Sequence, residues 1–251
     1  MRWRFINTGF NSGKFNMDYD IDLARNIKPG EAVLRLYRWQ PYCISLGANQ
    51  NFESINQEKV SADKIDVVKR PTGGRAILHS EELTYSVVLL VSENLSARNI
   101  YHEINIALLE GLRIYNPKLN NVELENSQPD FPSFYKEEKS TICFAVPAKS
   151  ELKYSGKKLV GSAQRKLGST ILQHGSILCG SYHLNIVNYL NTENSEVLKK
   201  EIENTTIDLG SILNENIDYE RLSESIVKGF EIKFDMKLEE SLNAELEIIQ
   251  Q

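Results

Sequence analysis

The sequence predicts an α+β fold: a large mixed, mostly antiparallel sheet flanked by helices. Three observations predict it. Strand-like segments dominate up to about residue 190, and helical patterns dominate after it. Residues 83–91 are rich in β-branched residues and mostly apolar, as a central strand is. Ser155-Gly156 sits between two strand patterns as a hairpin turn.

The elements follow in order. Residues 2–7 alternate around Trp3 and Phe5 and read as an opening strand. Ser12 is placed to cap a helix reaching about residue 26, with Phe15, Met17, Ile21, Leu23 and Ala24 near helical spacing. Residues 32–37 and 43–46 are strands separated by the Pro41 turn. A short helix covers 57–62 and a strand covers 65–69. The run 70–75 is too rich in Gly and Pro to be regular. Residues 99–114 carry the 3.6-residue period of an amphipathic helix. The polar stretch 116–140, with Pro117, Pro129 and Pro132, reads as a long loop, the kind often used functionally. Four strands are expected at 141–146, 152–155, 158–164 and 169–178. Helical patterns follow at 195–203, 219–234 and 238–249.

Composition narrows the classes. The 251 residues give room for one large domain with a real core. A net charge of −5 argues against non-specific nucleic-acid binding. Three cysteines without regular spacing are neither a disulfide framework nor a zinc site, and they suit a reducing cytoplasm. No metal set is expected. The N-terminus lacks the apolar stretch of a signal peptide. The longest apolar run, 87–91, is far short of the ~20 residues of a membrane helix, so a cytoplasmic protein off the membrane is expected.

Four segments carry residues suited to chemistry, and each has a bland alternative. In Arg70-Pro71-Thr72-Gly73-Gly74-Arg75, ending at His79, paired glycines let the backbone approach a ligand and aim N–H groups at an anion or oxyanion. Arg70 and Arg75 add charged donors. The same pattern serves a tight turn with solvated arginines. Cys143 lies in Ser140-Thr141-Ile142-Cys143-Phe144, either as an inert apolar residue or as a nucleophile. Lys157 and Lys158 lead into an apolar strand with Gly161, Ser162 and Ala163. Lys157 fits an exposed hairpin, whereas Lys158 is equally suited to solvent or to an inward position where it lowers a thiol pKa. His174, before Gly175, is either a base or a satisfied core residue.

In this order, KRPTGGRAILH, GKKLVGSAQ and ILQHGSIL resemble the catalytic domain shared by lipoate–protein ligases, octanoyltransferases and, more distantly, biotin ligases. The similarity runs from about Trp3 to Leu190, and it implies one catalytic domain over 1–251 with a helical C-terminal tail. By this resemblance Lys158 matches the active-site lysine. Arg70, Thr72, Gly73, Gly74, Arg75 and His79 match the loop around the acyl carboxyl end. Gly161, Ser162 and Ala163 match the strand along the acyl tunnel, and His174 the strand after it. The placing of Cys143 ahead of Lys158, in an Ile-Cys-Phe context, resembles the octanoyltransferase branch common in Gram-positive bacteria. Arg75 stands where the ligases usually carry a third glycine. Ser80 and Ala145 depart from the family, which often has Asp at both places.

That branch implies an octanoyl group taken from acyl carrier protein onto Cys143, then passed to a lysine of a lipoyl-carrier protein. The glycine cleavage H protein and 2-oxoacid dehydrogenase lipoyl domains are carriers of this kind, and no cofactor is implied. The rival enzyme readings are a ligase that uses ATP and magnesium, and an amidotransferase between two carriers. The rival from another class is a fold kept only to bind an acyl carrier.

Overall fold

The computed structural model describes residues 1–91, 96–125 and 151–240. β1 (Arg2–Asn11) opens the chain, and the bulge between Asn7 and Gly9 carries it past its predicted end at residue 7. Gly9 holds a φ of 63° there, a conformation open to glycine at little cost. Ser12 caps α1 (Gly13–Asn26) by accepting a hydrogen bond from the Phe15 N–H. β2 (Glu31–Trp39) returns parallel to β1, as a helical crossover requires.

β3 (Cys43–Leu46), α2 (Gln57–Ala62) and β4 (Asp66–Lys69) repeat that parallel crossover on a smaller scale. β5 (Ile77–His79) closes this second sheet in the order β4-β3-β5. The sequence alone leaves 77–79 inside the loop, because three residues are too few to show a period.

The principal sheet continues through β6 (Glu82–Leu90), β7 (Val122–Leu124), β8 (Leu152–Tyr154), β9 (Lys157–Leu167) and β10 (Thr170–Leu178). Its order is β11-β1-β2-β6-β10-β9-β8-β7, parallel at β11-β1-β2 and antiparallel beyond, so the predicted mixed, mostly antiparallel sheet is found. α3 (Ala97–Tyr115) and α6 (Tyr219–Phe234) pack together on one face. They meet at Gly111 and Gly229, where a Cβ on Gly229 would lie 2.3 Å from the Gly111 nitrogen. α4 (Ser195–Thr205) and α5 (Leu209–Leu213) precede α6.

The C-terminal expectation needs correcting. Asp235, in the left-handed conformation, closes α6. The chain then places β11 (Glu239–Glu240) beside β1, where a helix from 238 to 249 is predicted. Arg2 pairs with Glu239 at this edge. The rest of that predicted helix, the expected strand at 141–146 and Cys143 itself lie outside the described residues. So does most of the predicted loop 116–140, whose described start is a 3-10 turn leading into β7.

Alternation along β6 positions the site. Leu83, Tyr85, Val87 and Leu89 join the core under α3 and α6. Glu82, Thr84 and Ser86 are buried on the opposite face. The register brings His174 opposite Ser86 and Ser176 opposite Thr84 on β10, and Arg35 opposite Ser86 and Tyr37 opposite Thr84 on β2. A strand that reads as simply apolar thus has one polar face. That face meets α1 and the second sheet. Among the described residues, no helix is long and apolar enough to cross a membrane.

Candidate active site

A cavity opens between the polar face of the principal sheet and the second sheet. Arg70, His79, Lys158, Gly161, Ser162, Ala163 and His174 all line it, so three segments far apart in sequence converge. Met17, Tyr37, Trp39 and Ile77 add apolar and aromatic wall, suited to holding a hydrocarbon chain.

The arginine–glycine loop is fastened to its own backbone. Arg70 is buried, and its guanidinium donates to the Ser45 carbonyl at 2.8 Å, to Ser45 Oγ at 3.1 Å, to the Gly73 carbonyl at 3.0 Å and to the Arg75 carbonyl at 2.7 Å. The resemblance gives Arg70 to the acyl carboxyl end. The geometry shows it shaping the loop, since a rigid fork of donors is well spent on several carbonyls. Gly74 has a φ of 98°, and its carbonyl presses so close to Gly47 that a Cβ there would lie 2.0 Å away. The Thr72 carbonyl accepts from the Ala48 N–H, and Arg165 donates to the Pro71 carbonyl at 2.5 Å, tying the loop to β9. Thr72, Gly73, Gly74 and Arg75 therefore border the cavity without lining it.

Two buried histidine relays stand beneath the loop. His79 Nδ1 faces Glu82 Oε1 at 2.8 Å, and its Nε2 faces Ser45 Oγ at 2.8 Å. A carboxylate only accepts, so Nδ1 carries a proton. Trp39 stacks on the His79 ring at 4.1 Å and donates from Nε1 to Thr84 Oγ1. Thr84 and Ser176 also donate to Glu82 Oε1. Burial alone would raise the Glu82 pKa, but His79, Thr84 and Ser176 outweigh it and hold the carboxyl below its ordinary value.

In the second relay His174 Nε2 meets Thr72 Oγ1 at 2.7 Å, and Nδ1 faces Asp20 Oδ2 at 3.4 Å. Asp20 also accepts from Arg35, Ser86 and Tyr37. Burial lowers the His174 pKa, and Asp20 offsets this only in part. His174 is thus a satisfied interior histidine that latches the loop to α1.

This depression has a measurable consequence. A folded chain that keeps His174 neutral cannot take the proton that the unfolded chain takes below about pH 6.5. Stability should therefore fall as pH drops from there, until the folded-state pKa is passed. His183, also lowered by burial, contributes in the same direction. Urea unfolding at pH 7.5 and pH 5.5 is expected to show a smaller loss in His174→Gln than in the wild type. An identical loss in both would remove His174 from the account.

Lys158 is the cavity's buried ammonium. Its Nζ lies 3.0 Å from Glu151 Oε2, and both side chains are almost wholly buried. Lys157 instead reaches the Glu203 carbonyl near the surface, as expected of an exposed hairpin lysine. On the other face Ser162 Oγ meets Tyr85 OH at 2.6 Å, and Tyr101 OH donates to the Ser162 carbonyl. Burial pushes the Tyr85 hydroxyl up to about 12, so it stays a neutral hydrogen-bonding group. Gly175 is required beside it, because a Cβ would lie 2.4 Å from the Gly161 carbonyl oxygen.

Sequence reasoning misses Asp20, Glu82 and Glu151. Only Glu82 leaves a sequence signal: Glu82, Thr84 and Ser86 recur with period two inside an apolar run. Among the described residues, no group of three or more His, Cys, Asp or Glu side chains could hold a metal ion.

Comparison with known proteins accords with this geometry. Residues 12–231 match the family described as the lipoyl protein ligase A/B catalytic domain. Proteins named octanoyltransferase LipM are 33% identical in Anoxybacillus flavithermus (99% of this chain, 93% of the relative) and 34% identical in Macrococcus caseolyticus (98% and 92%). The LipM of Bacillus subtilis is 32% identical over 94% of this chain and 88% of its own. Among solved structures, lipoate-protein ligase A bound with ATP superposes with a TM-score of 0.76 at 18% identity, covering 99% of this chain and 92% of that one. The bipartite lipoate protein ligase of Thermoplasma acidophilum also gives 0.76 at 18% identity, covering 99% and 90%. The chain belongs to the lipoyl protein ligase A/B catalytic-domain family.

Proposed function

We propose that this chain is an octanoyltransferase of lipoate biosynthesis, which takes octanoyl from acyl carrier protein onto Cys143 and passes it to a lysine of a lipoyl-carrier protein. The observation that carries this reading is the near-full-length similarity, at 32–34% identity, to proteins named octanoyltransferase. The cavity supports it, with aromatic and aliphatic wall for the chain and one buried ammonium, Lys158, beside the Gly161–Ser162–Ala163 stretch.

Chemistry narrows the nucleophile. Cys43 and Cys179 are buried, and burial raises both thiols, Cys179 to about 12, which leaves them inert as nucleophiles near neutral pH. Cys143 is the remaining cysteine of the three. In the first half-reaction its thiolate attacks the octanoyl thioester carbonyl. The carrier's thiolate leaves, and octanoyl stays on Cys143. In the second half-reaction the acceptor lysine, as free amine, attacks that new thioester; the C–N bond forms as the C–S bond breaks, the amine gives up one proton to solvent, and Cys143 returns as thiolate. Lys158 supplies positive charge to both anionic intermediates and to the thiolate. Backbone N–H groups at Gly161–Ser162, which line the cavity, are the nearer candidate oxyanion donors, and those at Gly73–Gly74 border it. A thioester is already activated, so this route needs neither ATP nor magnesium. A carrier-protein thioester donor and a nucleophilic thiol support a cytoplasmic setting. The acceptors are lipoyl domains and the glycine cleavage H protein.

The test is intact-protein mass spectrometry after mixing with octanoyl-acyl carrier protein in the absence of ATP. One octanoyl mass should appear on wild type and vanish in Cys143→Ala. Modification of a lipoyl domain only from free lipoate and ATP would move the chain to the ligase reaction. Octanoylation of Cys143→Ala to the wild-type extent would remove Cys143 from the mechanism.

A further inference from the structure

Among the described residues, Glu151 and Lys158 form an ion pair whose side chains are only 4% and 3% exposed. Burying an ammonium or a carboxylate alone is costly, so each charge here depends on its partner. The backbone sets their meeting. Glu151 immediately precedes β8, and its carbonyl accepts from the Glu125 N–H at 2.8 Å, alongside the β7–β8 ladder. Lys158 sits on β9 beside the irregularity in β8–β9 pairing, where Lys153 faces Lys158 but Leu152 faces Val160. The extra residue on β9 re-aims its neighbours, which is the usual effect of a bulge. The Lys158 carbonyl accepts from the Ile207 N–H at 3.0 Å, so this strand is pinned from its other edge as well.

We propose that Glu151 is a positioning residue for acyl transfer, holding the Lys158 ammonium in one rotamer at the cavity wall. This rests on the octanoyltransferase reading. Lysine carries a point charge on a flexible four-carbon stem, and a fixed carboxylate selects one of its many rotamers. An ammonium held in one place is preorganised to stabilise a thiolate and a developing oxyanion. The other titratable groups on the cavity wall are Arg70, His79, His174 and Tyr37. Tyr85 is a further titratable neighbour of Glu151 and stays neutral. Glu151 itself stands behind this lining and is joined to it through Lys158.

The test compares wild type, Glu151→Gln and Glu151→Asp in octanoyl transfer from octanoyl-acyl carrier protein to a lipoyl domain. Glu151→Gln is expected to lower kcat about tenfold or more with little change in the donor KM, as loss of transition-state charge placement does. Glu151→Asp should restore much of the rate. Trace acetylation of Lys158 at one fixed pH, read by peptide mass spectrometry, gives a comparison that needs no activity. Glu151→Gln should be modified faster there than wild type, because its amine is no longer tethered.

Wild-type kcat in Glu151→Gln would overturn the proposal. So would a loss of rate that follows the unfolding midpoint alone, with Lys158 acetylation unchanged. If the wild type fails to transfer while Glu151→Gln is still acetylated faster, the octanoyltransferase reading falls and the positioning role of Glu151 stands.

Discussion

Lys158→Met is expected to slow single-turnover octanoyl transfer by about 10²–10³-fold or more, the effect typical of removing one preorganised charge or donor at a developing oxyanion. The loss should appear in acyl-enzyme formation and in transfer to the lipoyl domain alike, because both steps pass through an anionic intermediate beside the same ammonium. Methionine keeps the apolar stem and roughly the length, so the cavity wall survives while the charge goes. Stability should also suffer. Glu151 would be left buried without the ammonium 3.0 Å away, and breaking a buried pair from one side typically costs ~3–5 kcal/mol. The double variant Lys158→Met with Glu151→Gln separates the two effects. Its urea midpoint should recover much of the loss, and its transfer rate should not. Rapid-quench measurement of octanoyl on Cys143 gives the rate. A single variant that acylates at the wild-type rate would take Lys158 out of the chemistry.

Much of this fold is legible in the sequence where a period repeats. The turns of α3 and α6 declare helices because one face of each is buried along its length, and the apolar run of β6 declares a strand because both of its faces are buried. Short elements do not. β5 has three residues and β11 two, and their existence depends on the strands they pair with. The site divides in the same way. Its loop and lysine segments stand out by composition, and Lys158, His79 and His174 do line the cavity. Their partners are silent, because a carboxylate on α1 and a histidine on β10 meet across 154 positions of sequence. Nothing local to Asp20 distinguishes it from the neighbouring Asp18 and Asp22, yet Asp20 is fully buried and the other two pair with exposed basic side chains on the surface of α1. Arg70 carries a second role that its residue type does not announce. It lines the cavity while it also donates to the Ser45, Gly73 and Arg75 carbonyls that shape the loop.

Asp20→Asn is expected to be among the most destabilising single substitutions in this chain. Asp20 Oδ1 accepts from Arg35 at 2.8 Å and from Ser86 at 2.8 Å, and Oδ2 faces Tyr37 at 3.1 Å and His174 at 3.4 Å. Arg35 is fully buried and sandwiched between the Tyr19 and Tyr37 rings. Asparagine keeps the shape but removes the charge, and its NH₂ group would face donors on one side. An uncompensated guanidinium in that position typically costs ~3–5 kcal/mol, a large share of the ~5–15 kcal/mol that holds a domain together. Burial works to raise the Asp20 pKa, but Arg35, His174 and Ser86 outweigh it and keep it below the ordinary value. A depressed carboxyl contributes stability that is present above the unfolded-state value of about 4 and is lost as pH falls through the folded-state value. Wild type should therefore lose stability at acid pH more steeply than Asp20→Asn, which starts lower. Replacing both partners, Asp20→Leu with Arg35→Met, should recover part of the loss, since two apolar side chains leave no buried charge. The His174–Thr72 latch depends on the same carboxylate, so Asp20→Asn should also loosen the arginine–glycine loop, seen as faster amide exchange at the Ala48 N–H. Urea midpoints at pH 7.5 settle the matter. A loss under about 1 kcal/mol for Asp20→Asn would mean that water or local rearrangement compensates Arg35.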